Sequence, residues 1–262
     1  MLKFFELELF QQWFFEYTSR FTSIDPEYTR NIVLKTAHTK NVCKEIIDIA
    51  SSLGLNQGEI NLATAIALFH DIGRFEQYNR YQTFADHKSE NHAALGINIL
   101  KENLILENID PEARDLIIYS VLHHNCAVLP LKAPEKELFY ARMIRDADKL
   151  DIFRLVIDYY QNKEGTQNVA LELGLPNNNE ISDFVISDIK AGEIVKIQNV
   201  KTLNDFKLLQ LSWIYDINYH WTFKCIKDRN YFEELFESIP KNDKTTEIYS
   251  LACSYLENKL SV

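Results

Sequence analysis

Apolar residues recur three and four positions apart through almost the whole chain, the spacing of helices with one buried face. The pattern predicts helices over residues 4–21, 26–53, 58–70, 89–105, 110–124, 135–161, 203–221, 228–238 and 243–258. Asp25-Pro26 reads as a cap followed by Pro in the first turn, Gly54 as a helix stop, and Asp110-Pro111 as a second start. Residues 71–88 are predicted to be a loop carrying Arg74, Arg80 and several aromatics. Residues 162–180, with Gly165, Gly174, Pro176 and Asn177–Asn179, read as a linker or a long connection. The β-branched stretches Val185-Ile-Ser and Ile194-Val-Lys-Ile197 leave a short hairpin open within 181–200. Only 7 Gly and 6 Pro leave little room for the tight turns of an all-β fold. The expectation is an all-α protein, a single helical domain over 1–262, with a core at about 26–161 and a C-terminal helical extension at about 177–262.

The helix register places polar residues where apolar ones belong. His38 shares a stripe with Leu34, Val42, Ile46, Ile49 and Leu53. His70 lies with Ala63, Ile66 and Ala67, His92 with Leu95, Gly96 and Ile99, and His124 with Ile117, Ser120 and Val121. Asp148 lies with Ala141, Ile144, Ile152 and Leu155. One histidine on an apolar face is commonly a hydrogen-bonded core residue. Five polar groups aimed inward from five helices need a common partner, because a buried carboxylate without one is very costly. Imidazole nitrogens and carboxylate oxygens are the ligand set of a borderline divalent cation. Of the three carboxylates in Arg145-Asp-Ala-Asp-Lys-Leu-Asp151, Asp148 lies on the seam. Asp146 and Asp151 read as acceptors behind the ligands or as helix-surface charges.

Composition narrows the partners. A formal charge of −10 argues against broad binding to a nucleic acid duplex, although a small phosphate ester still fits a locally positive pocket. Cys43, Cys126, Cys225 and Cys253 form no CxxC and read as reduced thiols. No 18-residue uncharged apolar run exists, so no membrane span is expected. The Phe- and Leu-rich N-terminus is interrupted by Glu6, Glu8 and Glu16 and lacks a basic start, so it reads as a packing helix rather than a signal peptide. The expected location is cytoplasmic; the oligomeric state is left open.

Three segments in order carry a resemblance: Thr36-Ala-His-Thr-Lys-Asn-Val42, then Ala67-Leu-Phe-His-Asp-Ile-Gly-Arg74, then Asp146-Ala-Asp-Lys-Leu150. Each is short, but together, in order and in helical context, they resemble the HD superfamily of metal-dependent phosphohydrolases over about residues 30–160. The resemblance implies an HD-type helical bundle with additional C-terminal helices. It implies one metal held by His38, His70, Asp71 and Asp148. Members with two metals add two histidines, which His92 and His124 resemble, with Asp71 bridging. His123 is an alternative or additional contact. His87 reads as a supporting or surface residue, and His220 as structural. The chain has Asn125-Cys-Ala-Val-Leu-Pro130 where the cyclic-di-nucleotide phosphodiesterase branch carries Gly-Tyr-Pro, so that substrate is not implied.

The implied activity is hydrolysis of a phosphomonoester or phosphodiester by metal-activated water, with a small phosphorylated substrate, a nucleotide foremost. Asp71, Arg74 and Lys149 are the expected catalytic residues, the last two as phosphate clamps. The cofactor is one or two divalent ions per chain, with Mn, Fe, Co, Ni, Zn and Mg all open. Two other classes fit the same ligands. A diiron oxygenase predicts tightly bound iron, colour and oxygen-dependent turnover. A non-catalytic sensor or binding module goes with eroded ligands, whereas all six are present here.

Overall fold

The computed structural model describes residues 1–130, 132–161 and 168–261. Among them there is no strand, and the fold is all-α. In chain order the helices are α1 (Phe4–Thr18), α2 (Pro26–Ser52), α3 (Gln57–Phe69), α4 (Ile72–Tyr81), α5 (His92–Glu102), α6 (Pro111–His123) and α7 (Glu135–Gln161). There follow α8 (Asp183–Lys190), α9 (Leu203–Ser212), α10 (His220–Asp228), α11 (Tyr231–Glu237) and α12 (Asp243–Leu260). The chain divides into two compact units, Met1–Asp151 and Ile152–Val262. No helix among the described residues is long and apolar enough to cross a membrane.

In the first unit, local signals set the helix starts. Asp25 accepts from the Glu27 amide with Pro26 in the first turn, and Asp110 accepts from the Ala113 amide with Pro111 in the first turn. Asn56 and Glu59 form a reciprocal capping box at α3, and Asn91 caps α5 through the Ala94 amide. The core is aromatic at one end: Phe10 and Phe14 of α1 pack against Phe69 (5.1 Å between rings) and Phe75 (5.9 Å). Phe14, Phe69 and Phe75 are fully buried, each contributing roughly 1.5–3 kcal/mol by removal from water.

The segment expected as a loop, residues 71–88, is instead α4 followed by a 3-10 turn at Asp86–Lys88. Ile72, Phe75 and Tyr78 are buried at helical spacing, and a left-handed Gln82 (φ 52°) ends the helix. Gly73 marks a close approach rather than a break. A β-carbon there would collide with the His92 carbonyl and the Gly96 amide, so α4 and α5 meet backbone to backbone.

In the second unit the hairpin left open at 181–200 is not formed: it is α8 and a 3-10 turn at Ile197–Asn199. Val185, Ile186 and Ile189 are buried there on one helical stripe. The single helix expected over 203–221 divides into α9, a 3-10 turn at Trp213–Asp216 and the start of α10. The Ser212 hydroxyl donates to the Leu209 carbonyl and accepts from the Val195 amide, drawing the backbone out of the helical ladder. Phe153 packs against Trp213 (5.7 Å), Tyr231 (5.8 Å) and Phe232 (6.0 Å). Trp213, Tyr215, Tyr219 and Trp221 are all half-buried. Of the linker candidate at 162–180, Gly165 and its neighbours through 167 lie outside the described residues.

Candidate metal centre

Within the first unit the sequence-selected ligands converge. His38 comes from the middle of α2, while His70 and Asp71 occupy the junction of α3 and α4. Consecutive residues of one helix diverge by about 100°. Breaking the helix between 70 and 71 lets both side chains face the same interior. His92 opens α5, His124 closes α6, and Asp148 lies in α7.

The Asp71 carboxylate sits at the centre, with its two oxygens divided between two imidazole pairs. Oδ2 lies 3.6 Å from His38 Nε2 and 3.7 Å from His70 Nε2. Oδ1 lies 3.3 Å from His92 Nε2 and 3.6 Å from His124 Nε2. Both triads, His38–His70–Asp71 and Asp71–His92–His124, are buried and have ligand atoms close enough to share an ion. Asp148 Oδ1 adds a further oxygen, 3.1 Å from His38 Nε2 and 3.7 Å from His70 Nε2, and keeps 18% exposure.

All four rings point Nε2 inward because Nδ1 is held from behind. His70 Nδ1 donates to the Ala67 carbonyl and His124 Nδ1 to the Val121 carbonyl, both at 2.7 Å. A carbonyl can only accept, so those protons are on Nδ1 and Nε2 is left with its lone pair. His38 Nδ1 lies 2.7 Å from Asp151 Oδ2, and His92 Nδ1 lies 2.8 Å from Asp86 Oδ2. This is the arrangement by which ligand imidazoles are oriented from the outer shell.

The donor set fits a divalent ion. His38 Nε2 and His70 Nε2 are buried and make no hydrogen bond among the described residues. His92 Nε2 and His124 Nε2 face each other at 3.0 Å. Ligand atoms each roughly 2.1 Å from a common ion lie about 3.0–3.4 Å apart, close to the spacings here. Electrostatics agree. Burial pushes His124 down to about 4, so its inward nitrogen is an unprotonated donor. For Asp71, burial favours the neutral acid. Lys35, His70, His124 and His92 outweigh it and hold the carboxyl well below its usual range. For Asp148, burial is likewise overcome by His38 and His70. Burial and the Lys35 ammonium oppose charge on His38, but Asp148 and Asp151 prevail and raise it to about 9. The interior is therefore built to hold positive charge between two ionised carboxylates.

Other expected residues fall around this centre. Arg74 directs Nη1 to Gln77 Oε1 (2.8 Å), the Phe84 carbonyl and Asp86 Oδ1 (2.8 Å), with Nε 3.4 Å from Asp71 Oδ1. Lys149 is buried, its Nζ 3.5 Å from the Arg145 carbonyl. His123 is half-buried and stacks on Tyr119 at 4.1 Å, with Nδ1 on the Tyr119 carbonyl, whereas His87 and His220 are exposed.

Sequence reasoning missed three residues. Lys35, one turn before His38, places Nζ 2.7 Å from Asp71 Oδ2 and 5.2 Å over the Phe84 ring. Arg145 donates to the carbonyls of His123, His124 and Cys126, closing the end of α6 that carries His124. Asp86 backs His92. Lys35 carried a weak signal, its one-turn spacing from His38; Asp86 carried none beyond a polar turn.

A helical bundle that turns buried imidazoles and carboxylates onto one interior defines the class, an all-α protein with a candidate metal site. Residues 36–152 match the family model of the HD domain, a match consistent with the HD superfamily. That superfamily consists of metal-dependent hydrolases together with members lacking catalysis. No curated protein and no solved structure matches the chain.

Proposed function

We propose that this chain is a metal-dependent phosphohydrolase acting on a small phosphomonoester or phosphodiester, with a nucleotide as the first substrate to test. The supporting observation is the Asp71 carboxylate, whose two oxygens each face a separate pair of inward imidazole nitrogens. His38, His70, Asp71 and Asp148 would hold one ion, and His92, His124 and Asp71 a second. Such ions lower the pKa of water and offset charge on a phosphoryl group. The protein's own part is orientation. Asp151, Asp86 and two main-chain carbonyls fix the rings, and the ionised Asp71 assists proton transfer. Lys35, Arg74 and Lys149 supply positive charge around the carboxylates, and Lys35 is the cation closest to Asp71 among the described residues.

The test is elemental analysis of protein purified without added metal, followed by a phosphoester and nucleotide hydrolysis screen on the same sample. About two transition-metal ions per chain with phosphate release is the expected result. Near-stoichiometric iron with oxygen-dependent turnover and no hydrolysis would replace the reading with an oxygenase. No retained metal, and no activity after adding Mn or Co, would replace it with a binding module.

A further inference from the structure

Asp86 stands outside the ligand set, yet polar side chains from three segments converge on it. Its Oδ1 accepts from Arg74 Nη1 (2.8 Å) and Gln77 Nε2 (2.8 Å) and lies 2.9 Å from His92 Nδ1. Its Oδ2 lies 2.8 Å from His92 Nδ1 and accepts from Asn125 Nδ2 at 3.1 Å. These partners come from α4, from the first residue of α5 and from the residue following His124. Gln77 is fully buried and also donates to Ser89 Oγ and the Glu90 carbonyl, so the turn carrying Asp86 is tied down along its length. The Phe84 carbonyl accepts from the same Arg74 Nη1.

We propose that Asp86 is the positioning residue of the second metal group. It holds His92 with Nδ1 outward and Nε2 on the Asp71–His124 side, and through Asn125 it ties the end of α6 to the same point. The inference rests on the two-ion reading of the centre but goes beyond it. It predicts that the two groups depend on different outer carboxylates and can be separated by mutation. Asp151 Oδ2 lies against His38 Nδ1, whereas the Asp86 carboxylate lies against His92 Nδ1.

The mechanism is geometric. A neutral imidazole with its Nδ1 proton on a carboxylate has one tautomer and one ring orientation. Without that acceptor the ring can rotate or shift its proton to Nε2, which removes the donor from the metal side. Loss of an outer-shell partner of this kind lowers metal affinity by about 10–100-fold.

The experiment is a Co(II) titration of the metal-free full-length chain, followed by visible absorption and calorimetry, comparing wild type, Asp86→Ala, Asp86→Asn and His92→Ala. The expected wild-type result is two binding steps. His92→Ala removes or weakens one of them. Asp86→Ala weakens the same step by about 10–100-fold and leaves the other step and its spectrum unchanged. Asp86→Asn keeps an acceptor oxygen and falls between wild type and Asp86→Ala. It also guards against misfolding of the alanine variant, which far-ultraviolet circular dichroism checks. Two unchanged steps in a folded Asp86→Ala protein overturn the assignment while leaving the metal reading standing. So does equal weakening of both steps. A wild type that binds no ion, or one ion indifferent to His92→Ala, overturns both together.

Discussion

Asp71 in the first unit and Asp205 in the second are both buried aspartates, and they solve burial in opposite ways. Asp205 accepts from the Ser182 amide (2.8 Å) and hydroxyl (2.7 Å), the Lys201 amide (2.9 Å) and the Thr202 amide (3.2 Å). Its oxygens are occupied by amides ahead of α8 and α9 and by one hydroxyl. Asp71 faces a lysine and four imidazole nitrogens, none of them a main-chain group. The lesson is that burial of a carboxylate alone does not mark a site. Enclosure by backbone donors signals folding, and enclosure by other titratable side chains with inward lone pairs signals chemistry.

The strongest way to break that contrast is Asp71→Ala. On the proposed function, both ion groups would lose the Asp71 carboxylate, so hydrolysis should fall by about 10³-fold or more, with several kcal/mol of charge stabilisation removed. Metal content should fall below one ion per chain while helix content persists. Full activity in metal-loaded Asp71→Ala would end the functional half of the comparison.

Metal removal gives the next effect. An ion bound at 100 times its dissociation constant stabilises the native state by about 2.7 kcal/mol, worth roughly 5–10 °C in melting temperature for a unit of this size. Chelation should therefore lower the melting transition of wild type by that amount and leave the melting temperature of Asp71→Ala unmoved. Equal shifts in the two proteins would show that chelation acts elsewhere.

The smallest effect sharpens the other side. Asp205→Ala deletes a helix cap and strands several amides, at a cost of about 2 kcal/mol measured by urea unfolding. Metal content per folded chain should stay at the wild-type value. A folded Asp205→Ala protein that had lost its metal would erase the distinction between the two aspartates.

The sequence carried the first unit's helices and its interior histidines because both follow one rule, the 3.6-residue period. His38, Val42, Ile46 and Ile49 share a stripe in the sequence and are all buried in the fold. It did not carry α4, where Gly73 admits α5, because close approach between helices leaves no local trace. The division of α9 from α10 was hidden for a related reason, since it depends on Ser212 bonding to Val195, seventeen positions away. The same limit applied to the site. Residues facing the interior from regular helices were legible, whereas Asp86 belongs to a turn with no period, and its meaning comes only from the four side-chain nitrogens that tertiary folding gathers around it.

The support of the four rings also bears on how such a chain can change by mutation. His70 and His124 are aimed by the carbonyls of Ala67 and Val121, which every amino acid possesses. No substitution at 67 or 121 deletes those acceptors, so half of the aiming is protected from sequence drift. His38 and His92 depend instead on side chains at 151 and 86, each removable by a single codon change. On the proposed function, a descendant that keeps all six candidate ligands but binds no metal would be expected to carry the change at one of those two positions, where a comparison confined to the ligands would not find it.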